Sequence, residues 1–192
     1  MLAALGIVPD ADMKKSRKLH FKTNKPGIQL LVLRGSDVIT YIRSGVADIG
    51  IVGKDMLLED GGNELYELLD LGIASCRLMT AGIAGSAPNR GRRIRVASKY
   101  VQVAKRFYAS RGVQADVVKL YGGMELAPIM GLADEIVDIV DSGRTLTANG
   151  LEPRELIANI SSRLVANKAA KKVKHAEITQ LVDSLAADLT SS

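Results

Sequence analysis

The chain has 192 residues, 47% hydrophobic and 24% charged, with a formal net charge of +5 and a pI near 9.3. That composition excludes a disordered tail and supplies enough apolar residues for a buried core, in one domain or in two small lobes. The single cysteine, Cys76, excludes an intramolecular disulfide and a thiolate metal cluster, and 4% aromatic residues without tryptophan leave little stacking surface for nucleic acid.

No apolar run approaches the ~18 residues of a spanning helix, and Met1 to Val8 has neither the basic start nor the cleavage site of a signal peptide. A cytoplasmic protein with no membrane or nucleic-acid partner is therefore expected. Positive charge gathers at Lys14 to Lys18, Arg90 to Arg95 and Lys168 to Lys174. Such runs are solvated faces by default, and a polyphosphate ligand suits them equally well.

Met1 to Leu5 reads as the last turn of a helix closed by Gly6, which implies an element upstream. Ile28 to Leu33 (IQLLVL) is a strand-length apolar run, and Ser36-Asp37 offers an N-cap for a helix through Ile42. Asp48 to Val52 predicts a short buried strand and Leu57 to Leu69 a helix. Ile73 to Ala84 predicts a strand able to pass from one lobe to another, followed by a loop over Gly85 to Gly91.

Strands are predicted next at Ile94 to Ala97, Asp116 to Leu120 and Glu135 to Val140, alternating with helices at Tyr100 to Arg111 and Met124 to Leu132. Such alternation marks a parallel sheet covered on both faces. Asn159 to Asn167 is a further strand candidate, and Ala169 to Leu189 a helix with Val173, Leu181, Val182, Leu185 and Leu189 along one side. The expected division is residues 1–78 with 160–192 as lobe I and 79–159 as lobe II, with a ligand cleft where the lobes meet.

The strongest local signal is Asp138 to Thr145. An apolar strand ends at Asp141, Ser142-Gly143 turns the chain, and Arg144 to Ala148 starts a helix. Backbone N–H groups at that start suit a phosphate, Gly143 permits close approach, and the hydroxyls of Ser142 and Thr145 add donors. Carboxylates at the strand end suit ribose hydroxyls. On the pattern alone this reading and an ordinary helix cap by Asp141 or Ser142 stand level. Arg34, in Arg34-Gly35-Ser36-Asp37, and Lys54, after the strand DIGIV, also fall where a strand gives way to a helix. So does Glu125, after Tyr121-Gly122-Gly123. In an open parallel sheet such ends line one edge, so these residues can converge. Taken singly, a plain turn or a dipole-complementing carboxylate explains each as well.

Taken in order, LLVLRGSDV, ADIGIVGKD, LDLGIASCRLM, RVASKY, VKLYGGMELAP and GLADEIVDIVDSGRTLTANGL resemble the short form of ATP phosphoribosyltransferase. The resemblance runs from about Leu2 to Leu185. It implies an α/β chain with the two-lobed type II periplasmic-binding-protein fold, each lobe a mostly parallel sheet with flanking helices. It also implies a glycosyltransferase that joins adenine N1 of ATP to phosphoribosyl pyrophosphate and releases pyrophosphate, the first step of histidine biosynthesis.

The same resemblance implies that Asp141, Ser142, Gly143, Arg144 and Thr145 hold the ribose and 5′-phosphate. Arg34 and Lys54 then contact substrate, and Asp138 and Glu125 face the sugar as it becomes cationic. Mg²⁺ arrives with the substrate, and no metal site belongs to the protein itself. The implied partners are a regulatory subunit resembling histidyl-tRNA synthetase and further copies of the chain. The family normally begins with a strand and a Ser-Lys-Gly-Arg turn that have no counterpart here, so the first strand of lobe I is expected to be missing. The rival readings are a truncated inactive scaffold and a non-catalytic binding module of the same fold.

Overall fold

The structure is a computed structural model that describes residues 5–62, 64–87 and 93–190. Its elements begin with β1 (His20–Lys22), β2 (Gln29–Leu31), α1 (Gly35–Arg43), β3 (Ile49–Gly53), α2 (Lys54–Asp60), β4 (Leu65–Asp70) and β5 (Cys76–Ile83). There follow β6 (Arg93–Ser98), α3 (Val101–Ala109), β7 (Gln114–Lys119), α4 (Leu126–Ile129), β8 (Glu135–Val140) and α5 (Arg144–Ala148). The chain continues through β9 (Leu151–Ile160), β10 (Ser162–Asn167), α6 (Lys168–Val173) and α7 (His175–Thr190). Apart from Leu5, the helical turn expected over Met1 to Leu5 lies outside the described residues, as do Arg90, Arg92 and part of the Gly85 to Gly91 loop.

The chain forms two compact units, Met1–Val52 with Asn63–Gly72 and Arg163–Ser192, and Gly53–Gly62 with Ile73–Ser162. In the first unit, β10 lies between β3 and β4 and pairs antiparallel with β4. Leu71, Leu164 and Leu185 are buried there, with Leu181, Val182 and Leu189 of α7 packed on them. β1 and β2 form a separate antiparallel ribbon. The run IQLLVL is thus a ribbon strand rather than a buried one, with Leu31 and Val32 exposed. The α1 helix starts one residue after Arg34, which occupies the N-cap position that Ser36-Asp37 was expected to fill.

The second unit is built on a five-stranded sheet of order β7-β6-β8-β5-β9. β6 is parallel to β7 and to β8, whereas β5 runs antiparallel to both its neighbours, β8 and β9. Four strands therefore point one way and β5 alone is reversed. Alternation along the strands serves two cores, as a sheet covered on both faces requires. Leu78, Val96 and Val137 pack with α3, while Met79, Ala97 and Ile136 pack with Ala127 of α4 and Leu146 of α5.

Four expected elements differ. The helix predicted over Leu57 to Leu69 stops at Asp60, because Gly61 takes φ +90 as its cap and LYELLD then pairs with β10. The strand predicted over Asn159 to Asn167 is two strands, β9 beginning at Leu151 and β10 ending at Asn167. The helix predicted over Ala169 to Leu189 breaks at Lys174 (φ −111), which leaves Val173 82% exposed rather than on the packed side. Of the strand predicted over Asp48 to Val52, only Val52 is buried.

The α2 helix belongs to the second unit although it was read with lobe I. Its Glu59 accepts the backbone N–H groups of Gln102 and Val103 at 2.9 to 3.0 Å and so caps α3. The longer of that unit's two stretches runs over Ile73–Ser162.

Candidate functional site

Because β6, β7, β8 and β9 share a direction, the residues that follow their carboxyl ends lie on one edge of the sheet: Lys99, the Tyr121 to Glu125 segment, the Asp141 to Thr145 turn, and Ser161. In α/β sheets that edge is where ligands bind. The reversed β5 starts there too, with Cys76 opposite Ile160 and Arg77 opposite Val140. Lys54 joins the same edge through its backbone N–H, which donates to the Ser161 carbonyl at 3.0 Å. Arg34 belongs to the other unit, exposed at the start of α1, and is not among the residues gathered here.

The turn after β8 has a glycine, and neither Asp141 nor Ser142, at the N-cap of α5. Gly143 is the N-cap residue of α5, at φ +77, a conformation that costs a side-chain-bearing residue about 1 to 2 kcal/mol. No side chain caps the helix, so neither Asp141 nor Ser142 is an ordinary cap. Ser142 Oγ instead accepts from Arg144 Nε at 3.2 Å, and the Asp141 carbonyl accepts from Arg77 at 3.4 Å. Asp141, Ser142, Arg144 and Thr145 are all exposed.

Asp138 is half-buried within β8, opposite Met79 of β5, and its Oδ1 accepts the Ile139 N–H at 2.8 Å. Burial raises its pKa above the usual aspartate value, and the charges of Glu125 and Asp55 raise it further. The Ile139 hydrogen bond and the ammonium of Lys99 pull it back towards the anion. Ser98 lies opposite Val137, so Lys99 and Asp138 are the next positions along adjacent parallel strands. Glu125, half-buried, is the residue at which α4 begins. The thiol of Cys76 is pushed up by burial first and then by Asp55 and Asp141, with Lys99 pulling the other way.

Asp55, Lys99 and Tyr100 were not singled out from sequence. Each adjoins a strand end already marked, Asp55 beside Lys54 and the other two inside RVASKY. Their signal was the strand-end position, and what hid it was the absence of any glycine-rich turn. Among the described residues no three His, Cys, Asp or Glu side chains are grouped to hold a metal ion.

The fold and this edge define a class, the α/β proteins built like type II periplasmic binding proteins. The periplasmic aliphatic sulphonate binding protein SsuA from Escherichia coli has a similar fold, at 12% identity and a TM-score of 0.54 over 81% of this chain and 59% of that one. The ATP phosphoribosyl transferase (HisG:HisZ) complex from Thermotoga maritima matches with a TM-score of 0.86 and 31% identity over 100% of this chain and 91% of that chain.

A family model for ATP phosphoribosyltransferase (HisG) matches residues 34–187. An ATP phosphoribosyltransferase from Hahella chejuensis is 63% identical over 97% of this chain and 88% of its own length. One from Pseudomonas aeruginosa (strain UCBPP-PA14) is 59% identical over 96% and 87%. The chain belongs to the ATP phosphoribosyltransferase family, transferases of the first step of histidine biosynthesis that work with a metal ion. A plain binding module is disfavoured by that membership.

Proposed function

We propose that the carboxyl edge of the second unit is where this chain joins ATP to phosphoribosyl pyrophosphate. The observation that carries the reading is the uncapped turn after β8, with Gly143 left-handed and Asp138 just before it among Glu125, Asp55 and Lys99. Backbone N–H groups of the turn, the hydroxyls of Ser142 and Thr145, and Arg144 suit the 5′-phosphate, and Asp141 suits the ribose hydroxyls. Lys54 supplies a cation for the polyphosphate.

The adenine N1 lone pair attacks C1 of the sugar, the bond from C1 to pyrophosphate breaks, and positive charge builds on the ribose. N1 is already unprotonated near neutral pH, so no strong general base is needed. Asp138 and Glu125 lie where carboxylates stabilise that cation more than they stabilise the substrate. The Lys99 ammonium favours the carboxylate form of Asp138 against the burial that raises its pKa. Holding both substrates in line contributes up to about 7 to 11 kcal/mol. Mg²⁺ bound to the substrate phosphates would supply positive charge to offset that building on the departing pyrophosphate. An ion carried by substrate phosphates needs only one or two protein carboxylates, and Glu125 and Asp141 fit that demand.

The Thermotoga maritima relative is a HisG:HisZ complex, which supports a regulatory partner resembling histidyl-tRNA synthetase for this chain. Among the described residues no helix is long and apolar enough to cross a membrane. Cytoplasmic residence is the reading that accords with a biosynthetic role. The lobe that holds phosphoribosyl pyrophosphate is taken to be residues 79–159, extended by the flanking parts of the second unit.

The deciding experiment incubates the protein with ATP, phosphoribosyl pyrophosphate and Mg²⁺, with and without the regulatory subunit, and follows phosphoribosyl-ATP. Product in either condition supports the reading. No product in both, with no binding of phosphoribosyl pyrophosphate, overturns it.

A further inference from the structure

The proposed chemistry leaves a buried tyrosine beside it unexplained. Tyr100 is 1% exposed. Its backbone N–H donates to Ser98 Oγ at 2.8 Å, and that hydroxyl donates to the Val137 carbonyl at 2.6 Å, so Tyr100 is pinned to β8 immediately before Asp138. The Lys99 ammonium lies 4.7 Å from the centre of its ring. Its own hydroxyl donates to Asp55 Oδ2 at 2.5 Å. Burial and this contact push the phenol pKa far above its ordinary value, so Tyr100 gives a hydrogen bond here and not a proton.

Asp55 follows Lys54 in the first turn of α2. Its carboxylate turns back over Gly53, where a Cβ would meet Asp55 Oδ1 at 2.1 Å, so only glycine leaves room for that orientation. The α2 helix has seven residues, of which Leu57 is buried and Met56 and Leu58 are partly buried against the core of the second unit. Polar ties add to that packing and fix its two ends. Glu59 and the Leu58 carbonyl, which accepts from Arg106, hold its far end to α3. At its near end, Lys54 N–H bonds Ser161 and Asp55 bonds Tyr100.

We infer that Tyr100 and Asp55 are a positioning pair for Lys54: their hydrogen bond holds the first turn of α2 against the sheet edge, so that the Lys54 ammonium meets the pyrophosphate of the incoming substrate. This rests on the reading of the edge as the phosphoribosyl pyrophosphate site. Neither member of the pair needs to touch substrate to act.

The test measures kcat and KM for phosphoribosyl pyrophosphate in Tyr100→Phe, Asp55→Asn and Asp55→Ala, each also combined with Lys54→Met. Binding of inorganic pyrophosphate is read by calorimetry on the same proteins. Tyr100→Phe keeps the ring and its packing, and its KM should rise about tenfold with kcat within about twofold. Asp55→Asn still accepts from Tyr100 and should stay within about threefold of the parent, whereas Asp55→Ala matches Tyr100→Phe. In the Lys54→Met background the Tyr100→Phe change should cost nothing further, as expected of residues that act through one another.

An unchanged KM in Tyr100→Phe, or effects that simply multiply with Lys54→Met, overturns the inference. So does Asp55→Asn as damaging as Asp55→Ala, which would make the charge and not the bond the active feature. A Tyr100→Phe protein that fails to fold leaves the two Asp55 variants to decide. If the parent neither turns over nor binds phosphoribosyl pyrophosphate, the functional reading has failed instead. The pyrophosphate titration then still judges the pair, and equal affinities with and without the Tyr100 hydroxyl contradict it.

Discussion

At one edge of the five-stranded sheet, Glu135 is 5% exposed, ion-paired to Arg154, and accepts the Tyr108 hydroxyl at 2.6 Å. At the other edge, further along β8, Asp138 is half-buried among Glu125, Asp55 and Lys99. Both edges hold a carboxylate, a cation and a buried tyrosine, yet they are closed to different degrees. Arg154 reaches Glu135 by crossing over β5 at Gly82, where a Cβ would lie 2.5 Å from its Cζ, and its remaining donors go to Ser86 and Ile83. That edge is saturated. At the carboxyl edge Asp138 meets the charges of Glu125 and Asp55 as well as that of Lys99, and the turn beside it has a glycine at its helix N-cap. A saturated cluster stabilises the fold, whereas an unsaturated one retains capacity for a ligand.

The comparison is broken most forcefully at the closed edge. Glu135→Ala leaves Arg154 buried without its partner and should lose about 3 to 5 kcal/mol of stability, read by urea denaturation. A loss no larger than that of a surface pair would remove the contrast. At the open edge, Gly143→Val forces a β-branched residue to φ +77 and should cost roughly 1 to 2 kcal/mol, with weaker binding of phosphoribosyl pyrophosphate. Unchanged binding there would put the turn out of the site. The smallest effect belongs to the exposed Arg111–Glu155 pair at 2.9 Å, where Glu155→Gln should change stability by about 0 to 1 kcal/mol and activity not at all.

A pH profile sharpens the same contrast. The Asp138 pKa is raised in the folded protein, chiefly by burial, so its contribution to stability is present below its unfolded pKa and is lost as pH rises through the folded one. Ionised Asp138 therefore costs the free protein stability near neutral pH. The acid limb of kcat/KM, which reports groups of the free enzyme, should accordingly lie above the ordinary aspartate value of about 3.9. A limb at the ordinary value would mean that another group titrates.

Much of the open edge was legible in the sequence for physical reasons. An apolar run interrupted only by Asp138 and bounded by Asp141, Ser142 and Gly143 leaves few alternatives, and β8 and α5 fall at the residues expected. The closed edge was not legible. Leu151 to Ala158 carries no strand signal, because Pro153, Arg154 and Glu155 break the apolar pattern, yet it forms most of β9, the last strand of the sheet, where a proline's missing N–H is tolerated. Its arginine serves a glutamate that only the tertiary fold brings near. The helix expected through Leu69 failed because apolar periodicity does not register a left-handed glycine at position 61. Asp55 and Tyr100, distant in sequence, became a pair only once α2 was seen docked on α3.

The most direct test of the account is the kcat of Asp138→Asn at saturating substrates, read beside its affinity for phosphoribosyl pyrophosphate and its urea midpoint. The account predicts a kcat lowered on the order of 100-fold, affinity within about threefold, and a midpoint equal to or above that of the parent. An unchanged kcat would contradict it.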